Sequence, residues 1–80
     1  MRLDKYLKVA RIIKRRTVAN EACDAGRVTV NSLPAKASYI VKEGDVIEIS
    51  FGTRQVKLKV TSVKEVVKKE EAVDLYTLID

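Results

Sequence analysis

Apolar side chains recur every three or four positions at the start of this chain and every second position further on, a pattern that predicts helices first and strands after. Over residues 3–10, Leu3, Tyr6, Leu7 and Ala10 fall on one helical face, with Lys5 and Lys8 on the other. Asp4 lies in the first turn, where the helix dipole favours a negative charge. Ile12 and Ile13 close this unit, and Lys14-Arg15-Arg16 forms a basic connection to a second helix predicted over residues 16–25. There Val18, Ala22 and Ala25 share a face, flanked by Ala19 and Cys23. Gly26 follows as a C-cap, since a left-handed conformation costs glycine little.

From Arg27 the period shortens to two. Val28 and Val30 point one way, Arg27 and Thr29 the other. Asn31-Ser32 marks a turn, residues 34–38 a loop, and Tyr39-Ile40-Val41 a short extended piece. After the Lys42-Glu43-Gly44-Asp45 turn, Ile47, Ile49 and Phe51 alternate with Glu48 and Ser50. Residues 52–55 suggest a hairpin loop, and Val56, Leu58 and Val60 then alternate with Lys57, Lys59 and Thr61. A last helix is predicted over 68–79, where Ala72, Tyr76 and Ile79 are spaced for one face with Leu75 beside them. The expected class is α+β: two N-terminal helices packed on a small, mostly antiparallel sheet, with a C-terminal helix.

Eighty residues leave room for one domain, 1–80. At 46% hydrophobic content the chain can build a core, although a domain this small buries only about 60% of its unfolded surface. No apolar run approaches the roughly 18 residues of a membrane span, and the N-terminus lacks the apolar core of a signal peptide. One cysteine allows no internal disulfide, so a cytoplasmic setting is expected.

Charge changes the picture more than composition does. The net charge is +5, but residues 1–16 hold seven basic side chains and one acid, a local +6, and the rest of the chain comes to −1. The seven are Arg2, Lys5, Lys8, Arg11, Lys14, Arg15 and Arg16. Charges placed for solubility would mix signs. A single-signed run in an otherwise balanced chain is the footprint of a polyanion-binding face. Arg and Lys neutralise phosphates and release counterions, and arginine adds bidentate and stacking contacts. Nucleic acid fits better than a membrane, because the apolar stripe of the first helix is narrow and needed for the core. Composition does not choose RNA over DNA.

Catalytic chemistry is poorly supplied. Histidine is absent, which removes the commonest general base and zinc ligand, and a lone cysteine builds no metal site. The three glycines stand too far apart for a phosphate-binding loop. Glu43/Asp45 and Glu70/Glu71 suit surface charge better than an acid–base pair, and Cys23 suits a small core position. No catalytic residue, metal or cofactor is expected.

Four segments in order carry a resemblance: Arg2-Leu3-Asp4-Lys5-Tyr6-Leu7, Arg15-Arg16-Thr17-Val18-Ala19, Gly26-Arg27-Val28-Thr29-Val30-Asn31 and Val41-Lys42-Glu43-Gly44-Asp45. Together they resemble the S-four RNA-binding domain, or alpha-L motif, with a core over about residues 1–50 and an extension over 51–80. Arg11, Lys14, Arg16, Ala19, Glu21 and Ala35-Lys36-Ala37-Ser38 are similar to its heat-shock-protein-fifteen branch. The ending Lys68-Lys69-Glu70-Glu71-Ala72, then Leu75-Tyr76-Thr77, resembles the small factors of bacterial ribosome-associated quality control within that branch.

That resemblance implies a monomeric, non-catalytic protein on a large ribosomal subunit blocked by peptidyl-tRNA. It implies contacts to large-subunit rRNA and peptidyl-site tRNA, beside a partner protein that recruits alanyl-tRNA for C-terminal alanine tailing. Carried over by position, the RNA face is Arg2, Lys5, Lys8, Arg11, Lys14, Arg15 and Arg16, with Arg2 and Arg16 in the best-matching motifs. Arg27 and Lys36, in matched loops, are candidates to touch RNA or a partner. Asp4 has two open roles, supporting the helix start or orienting Arg2 or Arg16, and first-turn preference favours the former. The chain departs from the family pattern in two places. Arg15 stands where a capping Ser or Thr is common, and Asn31-Ser32 replaces an Asn-Gly turn. A recycling or assembly factor of the same branch, or an adaptor meeting an acidic protein, remains open.

Overall fold

The computed structural model describes residues 1–64, 68 and 74–79. Two helices, α1 (Leu3–Val9) and α2 (Arg16–Asp24), precede five strands, β1 (Val28–Val30), β2 (Leu33–Pro34), β3 (Val46–Phe51), β4 (Arg54–Val60) and β5 (Tyr76–Leu78). The strands form one sheet in the order β2-β1-β3-β4-β5, antiparallel at every pairing. This is the expected α+β class, with α1 packed against α2 and the sheet beneath.

Alternation decides which face of the sheet the helices cover. Val28 pairs with Ile49 and Val30 with Ile47, and Ile47 pairs in turn with Leu58. All five are buried, as are Leu3, Tyr6 and Leu7 of α1 and Ala19 and Cys23 of α2. Fully burying a leucine contributes about 1.5–3 kcal/mol, so this interdigitated layer is the main source of stability. Glu48, Lys57 and Lys59 fall on the opposite face, where Lys57 and Glu48 pair at 3.7 Å. That ion pair is exposed and contributes little.

The turns explain the sequence's departures. Asn31 and Ser32 both adopt positive φ, 52° and 72°, in the two-residue connection of β1 to β2. This is a type I′ pattern, so Ser32 takes a conformation that glycine holds more cheaply. The connection of β3 to β4 is shorter than expected. Phe51 pairs with Arg54 across Gly52-Thr53, so Arg54 and Gln55 already belong to β4, and Gly52 supplies the positive φ of 61°. Pro34 belongs to β2 rather than a loop, and of the extended piece at 39–41 only Ile40 bridges, to Arg2.

The C-terminal helix expected over 68–79 is corrected. Tyr76–Leu78 are strand β5, pairing with β4 as Val60↔Tyr76, Lys59↔Thr77 and Leu58↔Leu78. The rest of that helix falls mainly on residues 69–73, outside the described residues. The physical reason is that the edge of β4 offers unpaired backbone, and Tyr76 and Leu78, two apart, share one face of a strand but not of a helix. Buried Leu75 locks the segment in place: its carbonyl accepts from the Tyr6 hydroxyl at 2.7 Å and from the Thr61 amide at 2.9 Å.

Candidate RNA interface

Helix α1 begins without a side-chain cap, so its first amides need other partners. Leu3 N–H donates to the Tyr39 carbonyl at 2.7 Å and Asp4 N–H to the Ala37 carbonyl at 3.2 Å. The loop over 35–39 is itself tied to α2, where the Asp24 carboxylate accepts from the Ala37 amide at 3.3 Å. The start of α1, the end of α2 and this loop are thereby fixed together.

That arrangement buries Asp4, whose side chain is 3% exposed, beneath two arginines that are each 46% exposed. The Asp4 carboxylate accepts from Arg2 Nε at 3.3 Å, Arg2 Nη2 at 3.4 Å, Asn20 Nδ2 at 3.2 Å and the Lys5 amide at 2.8 Å. Arg16 approaches with Nε at 3.4 Å and Nη2 at 3.5 Å. Burial pushes the carboxyl up, but the bonds from Asn20, Arg16 and Lys5 outweigh it and hold it below its ordinary value. Asp4 therefore stays ionised and fills both of its open roles, supporting the helix start through the Lys5 amide and orienting Arg2 and Arg16. Asn20 was missed. It stands one turn after Arg16 on α2, a spacing that could have paired them. Asp4, Arg16, Thr17, Asn20 and Glu21 line a shallow recess of about 350 Å³.

The remaining cations spread outward from this hub. Lys8, Lys14 and Arg15 are exposed and Lys5 is half-buried. Arg15 is the N-cap of α2 without any side-chain capping bond, so the dipole of α2 adds positive potential beside Arg15 and Arg16. Lys36 lies in the loop that caps α1, next to the hub, whereas Arg27 stands past α2 at the start of the sheet, where its carbonyl accepts from the Ser50 amide at 2.9 Å.

Arg11 is the strained member. Its φ is 59°, at the C′ position of a Schellman ending. Its amide donates to the Lys8 carbonyl at 2.9 Å and the Ile12 amide to the Leu7 carbonyl at 3.0 Å. Helix α2 ends in the same way, with Gly26 at φ 79° and bonds from Gly26 to Cys23 and from Arg27 to Ala22. Where α2 uses glycine, α1 holds an exposed arginine in a conformation arginine resists.

Two further motif residues are structural. Asp45 is buried and accepts from Tyr39 Oη at 2.8 Å, the Lys42 amide at 2.9 Å and Asn31 Nδ2 at 3.1 Å. Burial raises its carboxyl and these donors, Lys42 first, bring it below the ordinary value. Cys23 is buried, which pushes its thiol up to about 11 and makes it inert at neutral pH. Among the described residues no cluster of His, Cys, Asp or Glu could hold a metal, and no helix is long and apolar enough to cross a membrane.

Comparison with known proteins finds similar chains over nearly the whole length. The chain is 59% identical over 76 residues to an "RQC P-site tRNA stabilizing factor" of Halalkalibacterium halodurans, covering 95% of this chain and 86% of that protein. It is 51% identical over 79 residues to the protein of the same name from Bacillus subtilis, covering 99% and 92%. Trimeric heat shock protein 15 of Vibrio cholerae superposes with a TM-score of 0.91 at 30% identity, over 99% of this chain and 81% of that one. The profile of the S4 domain matches residues 1–47, the span that contains both helices, the capping loop and the Asp4 hub, and the chain belongs to the S4 domain family.

Proposed function

We propose that this protein is a non-catalytic, cytoplasmic RNA-binding factor of ribosome-associated quality control. It binds large ribosomal subunits blocked by peptidyl-tRNA, as a single copy, and contacts both large-subunit rRNA and the peptidyl-site tRNA. It steadies that tRNA while a partner protein brings alanyl-tRNA for C-terminal alanine tailing. The observation that carries this reading is the hub: two arginines, one just before α1 and one at the start of α2, are held by one buried carboxylate with their outer surfaces open. Fixed cations lose less conformational freedom on meeting phosphate than free side chains do. Lys5, Lys8, Arg11, Lys14 and Arg15 widen the positive field around that point, and Lys36 adds to it from the capping loop. Arg27, set apart, serves a different RNA strand or the partner.

The test is association with purified large subunits carrying or lacking peptidyl-tRNA, for wild type and Arg16→Ala. Tight binding restricted to the tRNA-blocked subunit, weakened by Arg16→Ala, is expected. Equal binding to both subunits would instead favour a recycling or assembly role. Binding to neither would end the ribosomal assignment.

A further inference from the structure

The sheet is longer than the helices that cover it. On the covered face the buried row of Ile47 and Ile49 continues to Phe51, and that of Leu58 continues back to Val56 and Arg54. Tyr76 and Leu78 of β5 extend the same face, because they pair with Val60 and Leu58. Among the described residues no helix reaches this end: Phe51 is 39% exposed and Leu78 65%. Together with Ile12, these apolar side chains floor a groove of about 510 Å³ whose remaining walls are Arg11 and Arg54. That volume lies within the roughly 300–1,000 Å³ of small-ligand sites.

Among the described residues the lining holds two aromatic rings, two guanidinium groups and no acid. Neither Arg11 nor Arg54 has a side-chain hydrogen bond or an ion pair among the described residues. An uncharged apolar ligand would cover the floor and leave both cations unanswered. A duplex would meet the cations but could not reach the floor. An unstacked nucleotide does both, since its base has an apolar face for aromatic stacking and its phosphates are anionic. The groove is also continuous with the basic run of α1. Arg11 closes that helix, while Arg2 and the Asp4 hub stand at its other end, about 10 Å away along seven residues.

We propose that this groove is a second RNA site, which takes one unpaired nucleotide with its base against Phe51 and Tyr76 and the adjoining phosphates on Arg11 and Arg54. The proposal rests on the RNA-binding reading for its class of ligand, but its residues are distinct from the Asp4 hub. Two contacts on one small protein would let it hold a looped-out nucleotide and an RNA backbone at once.

The probe is an RNA hairpin carrying a single bulged 2-aminopurine, compared with the same hairpin fully paired, titrated at several salt concentrations. The bulged hairpin is expected to bind more tightly. Phe51→Ala should weaken it roughly tenfold, remove the preference for the bulge and leave the salt slope unchanged, while Phe51→Trp retains the preference. Arg54→Gln, at an exposed hairpin position, should lower the salt slope by about 0.7–0.9 for one lost phosphate contact. Equal binding of both hairpins, with no response to Phe51→Ala or Arg54→Gln, overturns the groove and leaves the hub standing. Failure of either hairpin to bind overturns the RNA reading together with the groove. Phe51-dependent binding of a polyglutamate peptide with no bulge preference assigns the groove to an acidic protein and overturns the proposal.

Discussion

Replacing Arg11 with glycine should stabilise the protein and weaken its hold on RNA, two effects that normally travel together in opposite sense. A non-glycine residue at φ 59° costs about 1–2 kcal/mol relative to right-handed backbone. Glycine removes that strain but adds about 0.4–1 kcal/mol of unfolded-state entropy. The net expectation for Arg11→Gly is therefore a gain of about 0.5–1 kcal/mol, or roughly 2–8 °C in Tm for a domain of this size. Both Schellman bonds, from Arg11 to Lys8 and from Ile12 to Leu7, are made by backbone and survive the change.

RNA affinity should fall by about fivefold at 0.15 M salt, because one lost phosphate contact removes about 0.9 from the log–log salt slope. The assays are urea unfolding with the slope of the transition compared, and titration of tRNA-blocked large subunits at several salt concentrations. Arg11→Asn is the control, since asparagine tolerates left-handed backbone without glycine's entropy and likewise removes the charge. A loss of stability in Arg11→Gly would refute the strain and show that the arginine stem packs usefully over Ile12. A gain in stability with unchanged affinity and salt slope would refute the phosphate contact and leave the strain without a function.

Three other outcomes follow from the same geometry. Asp4→Asn raises the net charge by one yet should weaken binding to blocked subunits by roughly tenfold, because Arg2 and Arg16 lose the acceptor that fixes them; stronger binding would mean that charge alone sets affinity. Ser32→Gly, at φ 72° in the β1–β2 turn, should raise stability by about 0.5–1 kcal/mol in urea unfolding and leave RNA binding unchanged, and a loss of stability would argue that Ser32 is unstrained. Asp4 and Asp45 are both held below the ordinary carboxylate value, so the unfolded chain takes up these protons first; the urea midpoint should be level above about pH 5 and fall as pH drops below about 3.9, with a shallower acid limb in Asp45→Asn.

How far the sequence could be read depended on the range of the interaction. The two helices, the alternation in β1, β3 and β4, and the Gly26 ending were all legible from neighbours a few residues apart. The last strand was not. Val60↔Tyr76 is a pairing across a long stretch of chain, and three residues such as Tyr76-Thr77-Leu78 are too few to set a period until the open edge of β4 is known. The left-handed Arg11 was equally hidden, because a Schellman ending is recognised in sequence by its glycine and here an arginine occupies the place.

Asp4 shows why a site can be legible as a charge run while its parts are read only halfway. In the sequence it is one acid among seven bases, and local rules can only relate it to the helix it begins. Its partners Arg16 and Asn20 come from α2, and its own burial depends on the loop whose Tyr39 and Ala37 carbonyls cap α1. Three segments must converge before the carboxylate loses its water, and only then does it do more than complement a dipole. An acid lowers the positive field of a basic surface, so a purely electrostatic design for holding phosphate would exclude it. Its presence is understood if placing two guanidinium groups matters more than adding a further positive charge. A free arginine carries about 2 kcal/mol of rotamer entropy, part of which is lost at the moment of binding. Asp4 has two such side chains already restrained in the folded protein, so that stability drawn from the core of the sheet is converted into two pre-placed guanidinium groups at the surface.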